Sequence, residues 1–345
     1  MKKVVLTLLV IALALTFITC NRSGGSQQQG ETRSAQVTVG YISPGSDTWY
    51  LRAEEGARWA AEKAGASFIA VNSNRDYERE QANIDYLINA GADVIISLSW
   101  NEAGSVATAE KASAAGVGSV IFDACGVMFN HNVDFTASVD FDWYGMGMIY
   151  AEWMRDNHPG MDYVFIDGLL DSVVCQTVTA ALLEATTALG SNRQVDKRIG
   201  EYNPEVAARQ AEDLVNSGLS FSVIGVINED CAAAVITRLE DMGVADRYHV
   251  FANNGSDVGI ALLKAGKLEF TISSSPGFEA VIATLAGIDW VKNGGPTRQK
   301  IDVSITSATS SNVDDPYAVI PWAVNEVVWT NIVRRNYPQF ISYLE

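Results

Sequence analysis

Side chains suited to holding a small polar molecule follow short apolar runs at regular points along the chain. Asp47, Trp49 and Tyr50 follow the run that begins at Val37, and Trp100 and Asn101 follow Asp93–Leu98. Asp123 follows Ser119–Phe122, and Asp171 and Gln176 follow Tyr163–Ile166. Asn228 follows Ser222–Ile227, and Asn254 and Asp257 follow His249–Ala252. Carboxylates and amides bind hydroxyls, and indole and phenol rings cover flat apolar faces. Patterns for covalent or metal chemistry are missing. His131, His158 and His249 are widely separated, with no H-E-x-x-H or triad spacing. There is no P-loop and no G-x-S-x-G, and Gly145-Met146-Gly147 is only part of a dinucleotide fingerprint. Asp140 and Asp142 have calcium-like spacing but lack the ligands that should follow. Non-covalent binding is therefore expected, with no catalytic residue, no metal and no cofactor.

The elements that position these residues alternate regularly. Val37, Val39, Tyr41 and Ile42 suit a buried strand, and Ser43–Asp47 is a turn cluster. From Thr48 the apolar period becomes helical and runs to about Gly65. A strand at 67–71, a helix at 77–90, a strand at 93–98 and a helix at 105–115 follow, and then a strand at 119–122. After a short strand at 136–139 and a helix to Asn157, the alternation starts again. Strands are expected at 163–166, 194–202, 222–227, 249–252 and 270–273, and a long helix at 278–292. The tail reads as a strand at 300–305 and an apolar helix around 322–334. Such β–α repetition implies parallel sheets with right-handed crossovers, whose ligands bind beyond the carboxyl ends of the strands. Asp47 and Asp257 also suit helix capping, and Asn254-Gly255 suits a turn.

The chain has 345 residues, enough for two domains. Residues 1–19 read as an export signal: Lys2 and Lys3, then a run from Val4 to Ile18 too short to span a bilayer. Cys20 directly after it resembles the lipidated cysteine of a bacterial lipoprotein, although Phe17 and Thr19 depart from the usual Leu and small residue. Residues 20–35 would form a flexible tether rich in Gly, Ser and Gln. Net charge is −17, and removal of residues 1–19 takes away two lysines and no acids, moving it to −19. So acidic a surface repels nucleic acid and anionic headgroups. Beyond Cys20 only Cys125, Cys175 and Cys231 remain. They contain no C-x-x-C and read as buried thiols, with one disulfide left open.

The ordered series VGYIS–DTWY–EG–AAEKAG, then Gln81 with NIDYLINAGADVII, KASAAGVGSVIFDA, GVINEDCAAA and ANNGSDVG with KAG-LEFTIS resembles the type I periplasmic sugar-binding proteins. These are the ribose-, galactose- and xylose-binding receptors of ABC importers, and the resemblance covers about residues 36–310. It implies an α/β fold of two Rossmann-like lobes with parallel sheets, joined by a three-crossover hinge. The N-terminal lobe would be 36–138 plus 275–303, and the C-terminal lobe 139–274 plus 304–345. It also implies a lipid-anchored monomer on the periplasmic face of a bacterial membrane. That monomer would close on a pentose or hexose and deliver it to a permease, touching the membrane through its anchor only.

The resemblance carries over residue by residue. Asp47, Trp49 and Tyr50 match the loop that stacks on the sugar, and Asp123 matches an acceptor usually followed by arginine, here Ala124. Asn228 and Asn254 match the opposite wall, and a position near Ser274 is often glutamine. The segment 171–176 often supplies a second arginine and contains no basic residue here. Two usual guanidinium clamps are thus absent. A nucleoside or furanosyl signal compound, or a sensory role feeding a chemoreceptor or kinase, are the alternatives.

Overall fold

A computed structural model describes residues 36–99 and 101–345. The signal, Cys20, the tether and Trp100 lie outside the described residues. Among the described residues twelve strands form two six-stranded sheets. The first contains β1 (Thr38–Ser43), β2 (Ser67–Asn72), β3 (Val94–Ser97), β4 (Gly118–Phe122), β5 (Ala137–Phe141) and, from far along the chain, β11 (Gln299–Val303). Its order is β11-β5-β4-β3-β1-β2, with every pair parallel. The second contains β6 (Tyr163–Asp167), β7 (Gln194–Ile199), β8 (Val223–Val226), β9 (His249–Asn254), β10 (Phe270–Ser273) and β12 (Thr306–Ala308). Its order is β12-β10-β9-β8-β6-β7, parallel except for antiparallel β12. The expected α/β architecture of two parallel sheets is therefore present.

Burial follows position in the sheet. Central β3, β4, β6 and β8 are buried at every residue, because helices cover both faces of a parallel sheet. Edge strand β7, Gln-Val-Asp-Lys-Arg-Ile, is buried at no position, and its charges discourage pairing with another chain.

The helices are α1 (Thr48–Lys63), α2 (Tyr77–Asn89), α3 (Glu102–Ala114), α4 (Trp143–Asn157) and α5 (Val173–Leu189), then α6 (Pro204–Asn216), α7 (Glu229–Asp241), α8 (Asp257–Lys264), α9 (Pro276–Asn293) and α10 (Glu326–Asn336). All ten start behind an Asp, Asn or Ser whose side chain accepts an N–H of the first turn. Each such cap contributes about 1 kcal/mol. This use of strand-end polar residues decides much about the site. Helices α1 and α9 lie backbone to backbone: a Cβ on Gly56 would stand 2.1 Å from the Gly277 carbonyl oxygen.

The chain passes between the sheets after β5, after β10 and after β11. The expectation that 304–345 belongs wholly with the second sheet does not hold. Only β12 joins it. Helix α10 returns to α1 and α9, where Trp329 packs 5.6 Å from Trp59 and 6.3 Å from Phe278, ring centre to ring centre. An apolar helical face does not encode which of two apolar layers it will cover. The helix also begins four residues later than its apolar pattern, at the Asn325 cap. Among the described residues no helix is long and apolar enough to cross a membrane.

Candidate functional site: the cleft between the two sheets

The carboxyl ends of the two sheets face one another. Asp47, before α1, lies close enough to Asp230, in α7, that its charge helps raise the Asp230 carboxyl, after burial. Burial raises the thiol of Cys125, after β4, and Thr177 of α5 lies close enough to oppose the rise. Asp123 also helps raise the phenol of Tyr202, which follows β7, behind burial and Cys175. The loops of both halves therefore meet around one space.

The wall built by the first sheet is aromatic and acidic. Asp47 caps α1, its Oδ1 accepting the Tyr50 N–H at 3.3 Å, while its Oδ2 accepts from the Arg75 guanidinium at 3.1 Å. That guanidinium lies 6.0 Å from the centre of the Tyr50 ring. Burial, then Asp47, pushes the Tyr50 phenol up to about 12, with Arg75 opposing. Trp49 is half-buried and meets Trp322 edge to face at 5.3 Å. Its indole lies close enough to Asp123 to oppose the rise that burial and Asp140 give that carboxyl.

Asp123 is the exceptional residue. It ends β4 with φ +56°, and Cys125 (φ +52°) and Gly126 (φ +67°) continue a left-handed turn instead of a helix. No helix N-terminus claims its carboxylate. Its Oδ1 is buried and has no hydrogen-bond partner. Burial and nearby Asp140 push its carboxyl well above the usual range, with the Trp49 N–H opposing. Asp140 is itself satisfied by Ser138 Oγ at 2.5 Å and the Ala124 N–H at 2.7 Å. Glu279, in the first turns of α9, is fully buried and neither of its oxygens has a partner. Burial, then Asp123 and Asp140, hold it well above the carboxylate range and favour the neutral acid. The Tyr41 hydroxyl, also without a partner, completes this polar floor; burial and then Glu54, Glu279 and other neighbouring charges raise it.

The opposite wall uses its polar side chains differently. Asn228 caps α7, accepting the Cys231 N–H at 2.9 Å. Gln176 braces its own loop by donating to the Leu170 carbonyl at 2.8 Å, and Asp171 is exposed. Asp257 is exposed in the first turn of α8, behind the cap Ser256. Asn254 is not a cap. Held at φ +117°, its Oδ1 accepts from Asn253 at 2.9 Å and its carbonyl accepts from the Trp322 indole at 3.0 Å. Buried Glu229 accepts from the Gly255 N–H at 2.6 Å, Thr271 Oγ1 at 2.5 Å and the Ser256 N–H at 3.1 Å. Asn101, on the first sheet's side, is likewise a cap, to α3 at 2.9 Å.

Of the sequence-based candidates, Asp47, Trp49, Tyr50, Asp123 and Asn254 are brought to one place. Asn101 and Asn228 have their side chains engaged in capping. Several cleft residues carried no local signal: Tyr202, whose hydroxyl lies 3.0 Å from Cys175 Sγ, Trp322 and Glu279. Arg75, in the loop after β2, places a guanidinium on Asp47, from a different loop than the two expected. The three cysteines in the described part are free, Cys175 and Cys231 buried and Cys125 half-buried.

Comparison with known proteins agrees with this geometry. The chain is 22% identical over 299 residues to the ribose import binding protein of Bacillus subtilis, a match covering 79% of this chain and 97% of the relative. A solute-binding protein from Bacillus halodurans C-125, solved with bound myo-inositol, superposes with a TM-score of 0.73 at 17% identity, covering 82% of this chain and 98% of that one. One from Actinobacillus succinogenes 130z, with bound D-allose, gives 0.74 at 16% identity, covering 81% and 99%. The family model described as the periplasmic binding protein domain matches residues 39–293. With more than half of its length matched, the chain belongs to the periplasmic binding protein family.

Proposed function

We propose that the protein is the substrate-binding component of an ABC importer, and that its ligand is a pentose, a hexose or a cyclic polyol of similar size. One observation carries this reading: the buried, unpartnered Asp123 Oδ1 beside the Trp49 indole, in a cleft between two sheets. A buried carboxylate oxygen without a donor is costly, about 1–3 kcal/mol or more. A ring hydroxyl would supply that donor, while the faces of Trp49 and Tyr50 would cover the C–H face of the sugar. Asn254 would offer an amide from the other wall. Ligand contacts from both walls favour the closed arrangement, which is the general logic of hinge closure. The relatives solved with D-allose and myo-inositol support the size and chemistry of this ligand. Export, cleavage before Cys20 and lipidation of that cysteine complete the proposal, supported by the order of Lys2, Lys3, the apolar run and Cys20.

Thermal-shift measurement with ribose, arabinose, glucose, galactose, allose and myo-inositol tests the ligand class. A rise in melting temperature with at least one of them is expected. No rise with any would overturn the sugar reading. The density of aromatic groups around Asp123 keeps a nucleoside as a second reading, and an ultraviolet-absorbing compound released on denaturation would favour it.

A further inference from the structure

The second sheet carries a cluster at the amino ends of its strands, away from the cleft loops. His249 opens β9, Glu269 directly precedes β10, and His158 closes α4. Glu269 Oε1 lies 2.6 Å from His249 Nδ1, and its Oε2 lies 2.9 Å from His158 Nε2. The two imidazoles stack with centres 4.0 Å apart, and one donor atom from each of the three residues falls within 4.8 Å of the others. We propose that His158, His249 and Glu269 form a binding site for a divalent transition cation of the zinc, nickel or copper class.

Two imidazole nitrogens and one carboxylate are a common donor set for these ions, and leave a coordination position to water. With bonds of 2.0–2.1 Å, donors around a tetrahedral ion stand about 3.3 Å apart. The nitrogen–oxygen separations of 2.6 and 2.9 Å, each to a different carboxylate oxygen, and a donor spacing within 4.8 Å reach this value by shifts of about 1–1.5 Å. The ligands are already held in place by their surroundings. The His158 N–H donates to the Met154 carbonyl at 2.8 Å, and its own carbonyl accepts from Asn192 at 2.7 Å. Trp153 packs edge to face against the His158 ring at 4.9 Å, and the Glu269 N–H donates to Val250 at 3.0 Å. The His158 side chain is 8% exposed, while those of His249 and Glu269 are 33% and 38% exposed, so the ion enters from their side. Without an ion, the same carboxylate serves as a clamp between two imidazoles. Bound, the ion would join the end of α4 to the starts of β9 and β10.

The test is a calorimetric titration of the tag-free, chelator-treated chain with Zn²⁺. One ion per chain is expected. Affinity should fall about 10–100-fold in both His249→Gln and Glu269→Gln, and stay unchanged in His131→Ala, whose imidazole pairs with Glu102 elsewhere. Circular dichroism establishes that each variant is folded. A second readout is local: Cu²⁺ should quench the fluorescence contributed by Trp153, and the quench should shrink in Trp153→Phe. Absence of saturable one-to-one binding, or binding that survives both His249→Gln and Glu269→Gln, would overturn the site and leave the imidazole clamp.

Discussion

The two walls of the cleft are made from the same unit, a parallel strand that runs into a helix, yet the strand ends leave Asn228 of one wall and Asp123 of the other in opposite states. On the second sheet Asn228 caps α7 and Glu229 collects three donors, while Asn253 Oδ1 at the end of β9 has no partner. On the first sheet the Oδ1 of half-buried Asp123 and both oxygens of buried Glu279 have no hydrogen-bond partner among the described residues. The cause is local backbone geometry. A strand that feeds a helix directly places its Asx residue where the first-turn N–H groups need an acceptor. Strand β4 feeds a left-handed turn instead, so Asp123 is left with no helix to cap. Asp123 is thus set apart from Asp47, Asn101 and Asn228, whose side chains the helices they precede take up.

This contrast can be broken or sharpened by experiment. The largest effect is expected at Asp123. Asp123→Ala should weaken the best sugar ligand about 100-fold in calorimetry, because a hydrogen bond to a charged or buried carboxyl is lost at about 1.5–3 kcal/mol. The same change should leave or raise the melting temperature of the free protein, since an orphaned buried acid is removed. Unchanged affinity would show that Asp123 belongs to the framework and not to the site.

Next comes acidity on the wall of the second sheet. Burial raises Glu229 from 4.5 to about 7, with Thr271, Ser256 and Gly255 opposing. A carboxyl whose folded value exceeds its unfolded one favours folding while it is protonated. That contribution is complete below about pH 4.5 and is lost as pH rises through about 7. The loss corresponds to about 3 kcal/mol. Denaturant melts of wild type and Glu229→Gln across pH 5–8 measure it, as the difference between the two slopes. Parallel slopes would show that the three donors hold Glu229 ionised throughout.

The smallest effect is expected at the cap itself. Asn228→Ala should cost about 1 kcal/mol of stability while changing ligand affinity less than about twofold. A large loss of affinity at unchanged stability would reverse the assignment and make Asn228 a ligand contact.

Much of the fold was legible in the sequence. Short apolar runs that end in turn residues and alternate with helical periods appear as parallel strands and helices, and the expected elements match to within a few residues through α9. Strand β12 and the docking of α10 were not legible, because a three-residue strand has no period and an apolar helix has no address. At the site, residue type and place after a strand selected Asp47, Trp49, Tyr50, Asp123 and Asn254, which the fold brings near one another. The same rule also selected Asp257, exposed behind the Ser256 cap, and Asn101 and Asn228, which cap helices as Asp47 does, since a helix cap and a ligand contact use the same side chains at the same place. Residue type alone could not select Glu279: an acid inside an apolar helix gives no sign of facing Asp123.

The amino-acid sequence by itself determined the alternation of elements, the acidic surface and the supply of polar groups at strand ends, because these depend on local pattern and composition. The tertiary structure alone decided which of those groups are consumed and which remain. It set Asp123 in a turn with no helix to cap, and drew Tyr202, Trp322 and Arg75 toward the same region. Far from the cleft it stacked His158 on His249, residues 91 positions apart, over one carboxylate. Pairing across a sheet makes neighbours of residues that no local pattern connects.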